Sequence, residues 1–364
     1  MKYWDYIKIE SLLSLQTGLR EDGSEPDKDE VLFIVVHQVY ELWFKLILQE
    51  LAAVRELFRK NPVPDQTLSD AVRSLRRTAT IFEVATDHWK VVETLTTRDF
   101  LGFREALMGA SGFQSAQLRE IEIVLGLEDE KRVALAGEKS YKDMLRGDDG
   151  KSSPALDRVE ARIATGPSYK TALYEWLSRT PIDGSSDPEH VDRYIAKFLS
   201  AHEQEARNQL AVADARASKH VDTDLIRRRY ERDIESARAF LTAKDLEGAS
   251  ESDRQRRRHI RAAIVFIESH RDLPRLSWAR EVLDATLSLE QAMVVWRTRH
   301  ARMVERVIGR RTGTGGSGGV DYLDQTAMRY RVFDEIWAVR SLLLRRELAP
   351  ELEHPEVYLL RVED

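Results

Sequence analysis

Among the nine histidines of the chain, His300 combines an apolar setting with neighbouring cations. It shares one face of a helix with apolar residues that recur at steps of three and four, namely Leu289, Met293, Trp296, Met303 and Val307. Arg297, Arg299 and Arg302 flank it in sequence. An imidazole on an inward face can bind a metal ion, while the arginines can pair with anions. A core histidine bonded to a backbone carbonyl fits the same pattern, and without further signals that alternative is the commoner one.

A second histidine, His37, lies in an apolar helix that spans about 30–60. Phe33 and Tyr40, its neighbours one turn away along the helix, are aromatic. The apolar residues of this helix form two adjacent rows, so we expect the helix to be buried on more than one side. His37 therefore fits a site residue in an aromatic wall and a core histidine equally well.

Arg104 stands among Phe100, Phe103 and Leu107. An unpaired guanidinium would be costly to bury in such surroundings, which suggests a buried partner. A substrate carboxylate would suit the two-pronged geometry of arginine. A structural salt bridge or a solvent-facing side chain is the alternative, and residue type alone favours that alternative.

The helix that carries His300 runs into a loop, 309–319, in which six of eleven residues are glycine. The loop lacks the lysine of a phosphate-cradling P-loop, and it follows a helix where a P-loop would precede one. Two interpretations stay open. The loop is either a flexible linker or a lid that closes over a ligand with its backbone N–H groups and Thr314.

The elements that must position these residues are helical. The spacing of apolar residues predicts helices over about 30–60, 68–92, 113–125, 155–164, 168–179, 188–217, 222–244, 252–270 and 322–348. Thr97 is the candidate cap for the segment that begins at Phe100, although the acidic residue of a capping box is missing at the third position after it. No segment is strongly strand-like, and we predict an all-α helical bundle.

Composition narrows the classes of function. The chain has 364 residues, no cysteine and a net charge of -6. Without cysteine, thiolate nucleophiles, iron–sulfur clusters and cysteine-ligated haem are excluded, so histidines or carboxylates must bind any metal. The negative charge argues against general nucleic-acid binding. Because the sequence contains neither a signal-peptide core nor a run of about eighteen apolar residues, we expect a cytoplasmic protein without a membrane span.

Five segments, in order, resemble the tryptophan 2,3-dioxygenases, haem enzymes that open the indole ring of tryptophan. They are 3–16 (YWDYIKIESLLSLQ), 30–51 (EVLFIVVHQVYELWFKLILQEL), 89–107 (WKVVETLTTRDFLGFREAL), 111–117 (SGFQSAQ) and 296–319 (WRTRHARMVERVIGRRTGTGGSGG). Five ordered motifs are a more specific signal than any single histidine. The resemblance implies a helical bundle that encloses haem b and a single haem-dioxygenase domain over 1–364. The charged middle region, 127–285, which these motifs do not reach, would be partly accessory.

The resemblance also implies which residues bind the cofactor. His300 matches the proximal ligand of the haem iron, Fe²⁺ in the state that binds O2. Ser111 and Gly112 match residues beside the haem edge, and we place Trp89 with them among the cofactor-binding residues.

The same resemblance implies a substrate site for L-tryptophan or a related indole amino acid, with O2 as co-substrate and N-formylkynurenine as product, as in the kynurenine pathway. His37 matches a distal histidine that hydrogen-bonds the indole N–H, and Phe33 matches a phenylalanine against the indole ring. Arg104 matches the arginine that takes the substrate carboxylate. Leu107 matches a pocket wall, and Thr314 matches a loop threonine at the polar end of the amino acid.

The N-terminal segment is rich in aromatic residues. Tyr3, Tyr6 and Ile7 match a family segment that reaches into the pocket of a neighbouring subunit. The resemblance therefore implies a homo-oligomer, by analogy a tetramer.

Three positions depart from the family pattern, and they keep alternatives open. Val39 and Tyr40 stand where small hydroxyl residues are common, and Leu118 stands where a tyrosine is expected. One alternative is a specialised relative that oxygenates a substituted tryptophan or another indole and inserts a single oxygen atom. A second is a non-catalytic haem- or indole-binding protein. A third, a purely structural bundle, explains neither Arg104 among aromatic residues nor the glycine loop.

Overall fold

The computed structural model describes residues 1–18, 24–107, 110–134, 140–147, 149–216, 223–313 and 318–359. Within these residues the regular structure is helical, apart from one isolated β-bridge between Ile182 and Ser185. The α-helices in chain order are α1 (Tyr3–Tyr6), α2 (Ile9–Leu13), α3 (Lys28–Phe58), α4 (Asp65–Val92), α5 (Thr97–Phe103), α6 (Ala116–Leu125), α7 (Pro154–Ala164), α8 (Tyr169–Leu177), α9 (Pro188–Arg216), α10 (Thr223–Leu241), α11 (Glu251–Ser269), α12 (Ser277–Ile308), α13 (Val320–Arg329) and α14 (Asp334–Arg340). The predicted all-α class is confirmed.

The chain folds into two compact units, each assembled from separate stretches. Unit 1 comprises Met1–Val54, Arg73–Tyr169 and Ser288–Val332, and unit 2 comprises Arg55–Val72, Lys170–Leu287 and Phe333–Asp364. Every described residue that the sequence singled out for its chemistry lies in unit 1.

Helix α3 forms much of the interior of unit 1. Tyr40, Phe44 and Ile47 from one of the two apolar rows are buried, whereas Val39 and Trp43 from the other row are half-buried. By length and hydropathy alone α3 could cross a membrane, and it is the one helix of the described chain that meets this test. A helix with aromatic and aliphatic side chains in a protein core reaches the same hydropathy, and the buried residues of α3 fit that explanation.

Helix α5 begins one residue earlier than predicted. Its N-cap is Thr96, not Thr97, because the Thr96 hydroxyl accepts a hydrogen bond from the backbone N–H of Asp99. The Asp99 carboxylate in turn accepts from the Thr96 backbone N–H at 3.0 Å. This reciprocal capping box satisfies two N–H groups that the helix start would leave unpaired.

Helix α6 is fastened to α3 by polar contacts at its start. Ser115 caps α6 by accepting from the backbone N–H of Leu118, and its hydroxyl donates to the Glu41 carboxylate at 2.6 Å. Gln117 donates to the same carboxylate at 2.7 Å. These bonds fix the rotation of α6, and hence the direction in which Leu118 and Arg119 project.

The predicted C-terminal helix over 322–348 is wrong in its continuity. The structure has α13, α14 and a 3₁₀ turn, Arg346–Leu348, in its place. At the break after α13, the backbone N–H of Val332 donates to the Glu290 carboxylate, not to a helical carbonyl. A buried side chain has replaced the helical bond, which sequence periodicity does not reveal.

Unit 2 contains most of the charged middle region. Its helices α8 to α11 agree with the predicted ranges to within three residues. In α11, residues 260–267 are all buried, and they include Arg261. That guanidinium pairs with Asp245 at 2.6 Å and with Glu335 at 3.1 Å, so its charge is compensated inside the unit.

Candidate functional site

A cavity in unit 1 brings together both histidines that the sequence singled out. Five of the predicted site residues line it: Phe33, His37, Ser111, Gly112 and His300. Further walls come from α5, α6, α12, α13 and the turn that follows Ser111, and they include Phe100, Phe113, Leu118, Arg119, Arg297 and Tyr322. Most of this lining is apolar, so a ligand inside would be held in a medium of low polarity.

His300 lies on the buried side of α12, as its spacing predicts. Trp296, Met303 and Val307 on the same face are buried. The imidazole stacks on the ring of Trp89, with 4.5 Å between ring centroids and 5° between the planes. It makes no side-chain hydrogen bond to any residue that the structure describes. Its orientation is therefore set by ring packing, and neither ring nitrogen has a hydrogen-bonding partner among the residues that the structure describes.

The surroundings of His300 keep the imidazole neutral. Burial lowers its pKa to about 3, and electrostatic interactions with His37 and with the Arg297 guanidinium add to the fall. A neutral imidazole offers a nitrogen lone pair at physiological pH. A neutral, half-buried histidine without a hydrogen-bond partner has the properties that a metal ligand requires.

His37 is held in a single tautomer by the backbone. Its Nδ1 lies 2.7 Å from the carbonyl oxygen of Phe33. Because a carbonyl can only accept, Nδ1 must carry the proton, and Nε2 of the neutral ring is an acceptor. Burial lowers the pKa of His37, although its bond to Phe33 and the charge of Glu41 oppose the fall. His37 is thus a neutral hydrogen-bond acceptor at the cavity wall.

Aromatic rings surround His37 on its own helix and beyond. The Phe33 ring lies 4.1 Å from the His37 ring and 5.6 Å from that of Phe103. On another wall, the rings of Phe113 and Tyr322 meet edge to face at 4.7 Å. A flat apolar ligand would find ring faces on more than one side.

Arg104 lies beside the glycine loop and is not among the described residues that line the cavity. The expectation of a buried partner is wrong in detail, because the side chain is only half-buried. Its Nη2 donates to the backbone carbonyl of Thr312 at 2.7 Å. Gly313 and Gly319 of the same loop do line the cavity, so Arg104 is connected to the cavity through the loop.

The remaining predicted site residues lie in different settings. Trp89 is buried behind His300 and contacts the histidine, not the cavity. Leu107 is half-buried, outside the cavity lining that the structure describes. Tyr3, Tyr6 and Ile7 are exposed on the isolated chain, with Tyr3 at 74%. Thr314 lies outside the described residues.

A buried ion cluster, which the sequence did not reveal, borders the cavity. Glu122 on α6 accepts from Arg119 at 3.1 Å, from Arg132 at 2.6 Å and from Arg297 at 2.6 Å. Burial alone would raise the pKa of Glu122, but the three guanidinium charges outweigh it and lower the pKa to about 2. The cluster joins α6 to α12, the helix that carries His300. In the sequence, the local signal for this cluster is the pair Arg119 and Glu122, which lie one turn apart on the same helix.

Comparison with known proteins decides the family. A family model described as tryptophan 2,3-dioxygenase matches residues 1–343. The chain belongs to the tryptophan 2,3-dioxygenase family. Among similar proteins, the tryptophan 2,3-dioxygenase of Sorangium cellulosum is 60% identical over 100% of this chain and 88% of its own length. The tryptophan 2,3-dioxygenase 2 of Ralstonia nicotianae is 54% identical over 98% of this chain and 97% of its own. That of Anopheles gambiae is 33% identical over 97% and 88%, respectively.

The family match continues through 127–285, a region that contains none of the five motifs. The alignment with the Ralstonia relative covers 98% of this chain and 97% of that protein, so it takes in this region as well.

Of the positions that depart from the family pattern, only one lies at the cavity. Tyr40 is buried in the core, where its hydroxyl donates to the Ala85 carbonyl at 2.8 Å and its ring packs 4.4 Å from that of Trp89. Leu118, in contrast, lines the cavity. Tyr40 is therefore a packing residue between α3 and α4, and Leu118 is the departure that a ligand would contact.

Proposed function

We propose that this protein opens the indole ring of L-tryptophan with O2, giving N-formylkynurenine, and that it uses haem b as cofactor. One observation carries the proposal: two neutral histidines with different bonding share one apolar cavity. Within the described residues His300 makes no side-chain hydrogen bond, which leaves its imidazole available to a metal, whereas His37 is fixed as a hydrogen-bond acceptor. The membership of the tryptophan 2,3-dioxygenase family supplies the reaction.

The residues present suit a haem. His300 would hold the iron through its imidazole, and Ser111 and Gly112 would lie at the edge of the ring. When bound, haem supplies the iron centre at which O2 is activated, and the protein supplies binding, orientation and electrostatics. Trp89 has a supporting role, because its stacking sets the plane of the His300 ring.

His37 orients the substrate. Its Nε2 accepts a hydrogen bond from the indole N–H, while Phe33 packs against the indole face. An indole N–H is a very poor acid, so His37 acts as a positioning group and not as an obligatory base. The aromatic walls restrict the indole to a small range of orientations, which lowers the entropic part of the barrier.

Arg104 and the glycine loop hold the polar end of the substrate. The substrate carboxylate pairs with Arg104, whose guanidinium now donates to the loop at Thr312. The same guanidinium thus connects the carboxylate to the loop, and closure of 309–319 excludes water from the reacting bond. Thr314, from this loop, and Leu107 complete the substrate pocket.

Assembly completes the site. The exposed segment with Tyr3, Tyr6 and Ile7 reaches the pocket of a neighbouring subunit in a homo-oligomer, by analogy a tetramer. The whole chain works as one haem-dioxygenase domain in the cytoplasm, with 127–285 partly accessory.

A second candidate function rests on Leu118. An apolar side chain at the cavity wall favours a bulkier or less polar indole than a tyrosine there would. In that case the protein oxygenates a substituted tryptophan and inserts one oxygen atom, while the second atom of O2 leaves as water with two protons and two electrons from an external reductant. Turnover of ring-substituted tryptophans by the wild type and by Leu118→Tyr separates the two candidates, because only the second predicts that the variant gains activity towards L-tryptophan.

Haem titration of His300→Ala tests the cofactor assignment. His259→Ala is the matched control, since His259 is also buried but its Nε2 lies 2.8 Å from the Thr180 carbonyl. We expect the wild type and the control to bind haem with the Soret spectrum of a histidine-ligated iron. We expect His300→Ala to lose that spectrum. A normal histidine-ligated spectrum in His300→Ala would refute the assignment.

A further inference from the structure

Counted over the described residues, the ion cluster around Glu122 contains more positive than negative charge. Arg119, Arg132 and Arg297 share this one buried carboxylate. Asp129 compensates Arg132, whose Nε donates to it at 3.0 Å. Within the described part of the chain, Arg119 and Arg297 are left with a single carboxylate between them. Both are nearly inaccessible, at 4% and 6% exposure. An uncompensated buried charge is costly, so a further anion is expected here.

Arg119 carries a free donor next to the cavity. Its Nη1 binds Glu122, but its Nε–H has no hydrogen-bond acceptor within the described part of the chain. Arg119 and Arg297 both line the cavity, whereas Arg132 does not belong to the described lining. The excess positive charge therefore borders the cavity and does not face solvent.

We infer that Arg119 and Arg297 form a carboxylate-binding subsite of this cavity and that a haem propionate occupies it. The inference rests on the proposed function, because it assumes that His300 holds the haem. Arg297 precedes His300 by three residues on α12, so the two side chains lie about one helical turn apart. A carboxylate on the rim of a ring held by His300 can reach a guanidinium at that separation.

The substrate carboxylate is the alternative ligand for Arg119 and Arg297. Arg104 already offers that group a half-buried guanidinium at the loop. The cofactor brings two carboxylates, and a single substrate molecule brings one. Because Arg104 already offers a site for the one carboxylate of the substrate, the Arg119 site is left for a carboxylate of the cofactor.

Titration of the full-length apoprotein with haem and with haem dimethyl ester tests the assignment. The ester keeps the ring and the iron but has no free carboxylate. Soret absorbance reports binding of either compound without any turnover. We expect the wild type to prefer haem over its ester by about 10- to 100-fold, the range for hydrogen bonds to charged groups. Equal affinity would overturn the inference without any variant.

Three substitutions, at Arg119 and Arg132, locate the preference for haem over its ester. Arg119→Gln should reduce it to within about threefold, because the donor and its charge at the cavity are lost. Arg132→Gln is the matched control: it removes a guanidinium from the same carboxylate, but not from the cavity, and should keep the preference. Arg119→Lys retains a charge without the forked donor and should fall between them. An undiminished preference in Arg119→Gln would overturn the inference.

Each of the other possible results of these titrations points to a different conclusion. If Arg119→Gln keeps its preference for haem but loses that for L-tryptophan over tryptamine, which lacks the carboxylate, the subsite takes the substrate, and the propionate assignment is wrong. If the wild type binds neither haem nor its ester, the haem proposal itself fails. Binding of both with equal affinity refutes only the propionate subsite.

Discussion

Glu122→Gln is the substitution whose cost follows most directly from the structure. Glu122 is 1% exposed and accepts from three guanidinium groups, two of them on α6 and α12. Glutamine has nearly the same shape but no charge. The variant therefore keeps the packing and leaves buried cations without their counter-charge.

Two estimates of the magnitude agree. The pKa of Glu122 falls from 4.5 to about 2 on folding, which corresponds to roughly 3 kcal/mol of stability at neutral pH. Loss of one partner from a buried ion pair costs about 3–5 kcal/mol. We expect equilibrium urea unfolding at pH 7 to show a decrease of roughly 3 kcal/mol in the free energy of unfolding of Glu122→Gln.

The pH dependence has a definite sign. Because folding lowers the pKa of Glu122, its contribution is complete above 4.5 and is lost as the pH falls towards about 2. The stability difference between wild type and variant should shrink over that window.

Glu120→Gln is the matched control. Glu120 is also buried, but its nearer partner Arg158, at 3.1 Å, is 54% exposed, and its second partner Arg162, at 3.9 Å, is 23% exposed, so both guanidinium groups stay partly solvated when the carboxylate is lost. We expect the control to cost less than about 1 kcal/mol. Equal losses in the two variants, or a loss below about 1 kcal/mol in Glu122→Gln, would refute this reasoning.

Three further substitutions test the site and its loop. His37→Ser should keep haem binding but lower kcat/KM for L-tryptophan by about tenfold, through loss of one hydrogen bond; complete loss of haem would contradict an orienting role. Arg104→Gln should lower kcat/KM for L-tryptophan by about 10- to 100-fold and leave that for tryptamine unchanged; an equal fall for both would argue against a carboxylate contact. Gly319→Ala should increase tryptic cleavage at Arg311, because φ is 58° at this glycine and an added Cβ would lie 2.7 Å from the Arg311 carbonyl oxygen. Gly318→Ala, whose Cβ would meet nothing within 4 Å, is the control, and equal cleavage of the two variants would contradict the close approach.

The helical architecture was predictable because local signals determine it. The stripe that includes Trp296, His300 and Met303 is buried as its spacing requires, and the long helices begin and end close to their predicted limits. Thr96 was missed as a cap because two adjacent threonines offer the same hydroxyl. Only the position of Asp99, three residues after Thr96, distinguishes them.

The contacts across the fold were not predictable, because their partners are distant in sequence. Arg297 and Glu122 are separated by 175 positions, and Arg104 and Thr312 by 208. In the second pair the acceptor is a backbone carbonyl, which residue type does not identify. Tyr40 shows the same limit. Its partner is the backbone carbonyl of Ala85, so this departure from the family pattern belongs to the core and not to the cavity.

Product analysis under ¹⁸O2 tests the central claim most directly. The reduced, haem-loaded protein is incubated with L-tryptophan, and the product mass is measured. Cleavage of the indole C2–C3 bond predicts N-formylkynurenine that carries both labelled oxygen atoms. A product with a single labelled atom, or no product from a protein that binds haem, would contradict it.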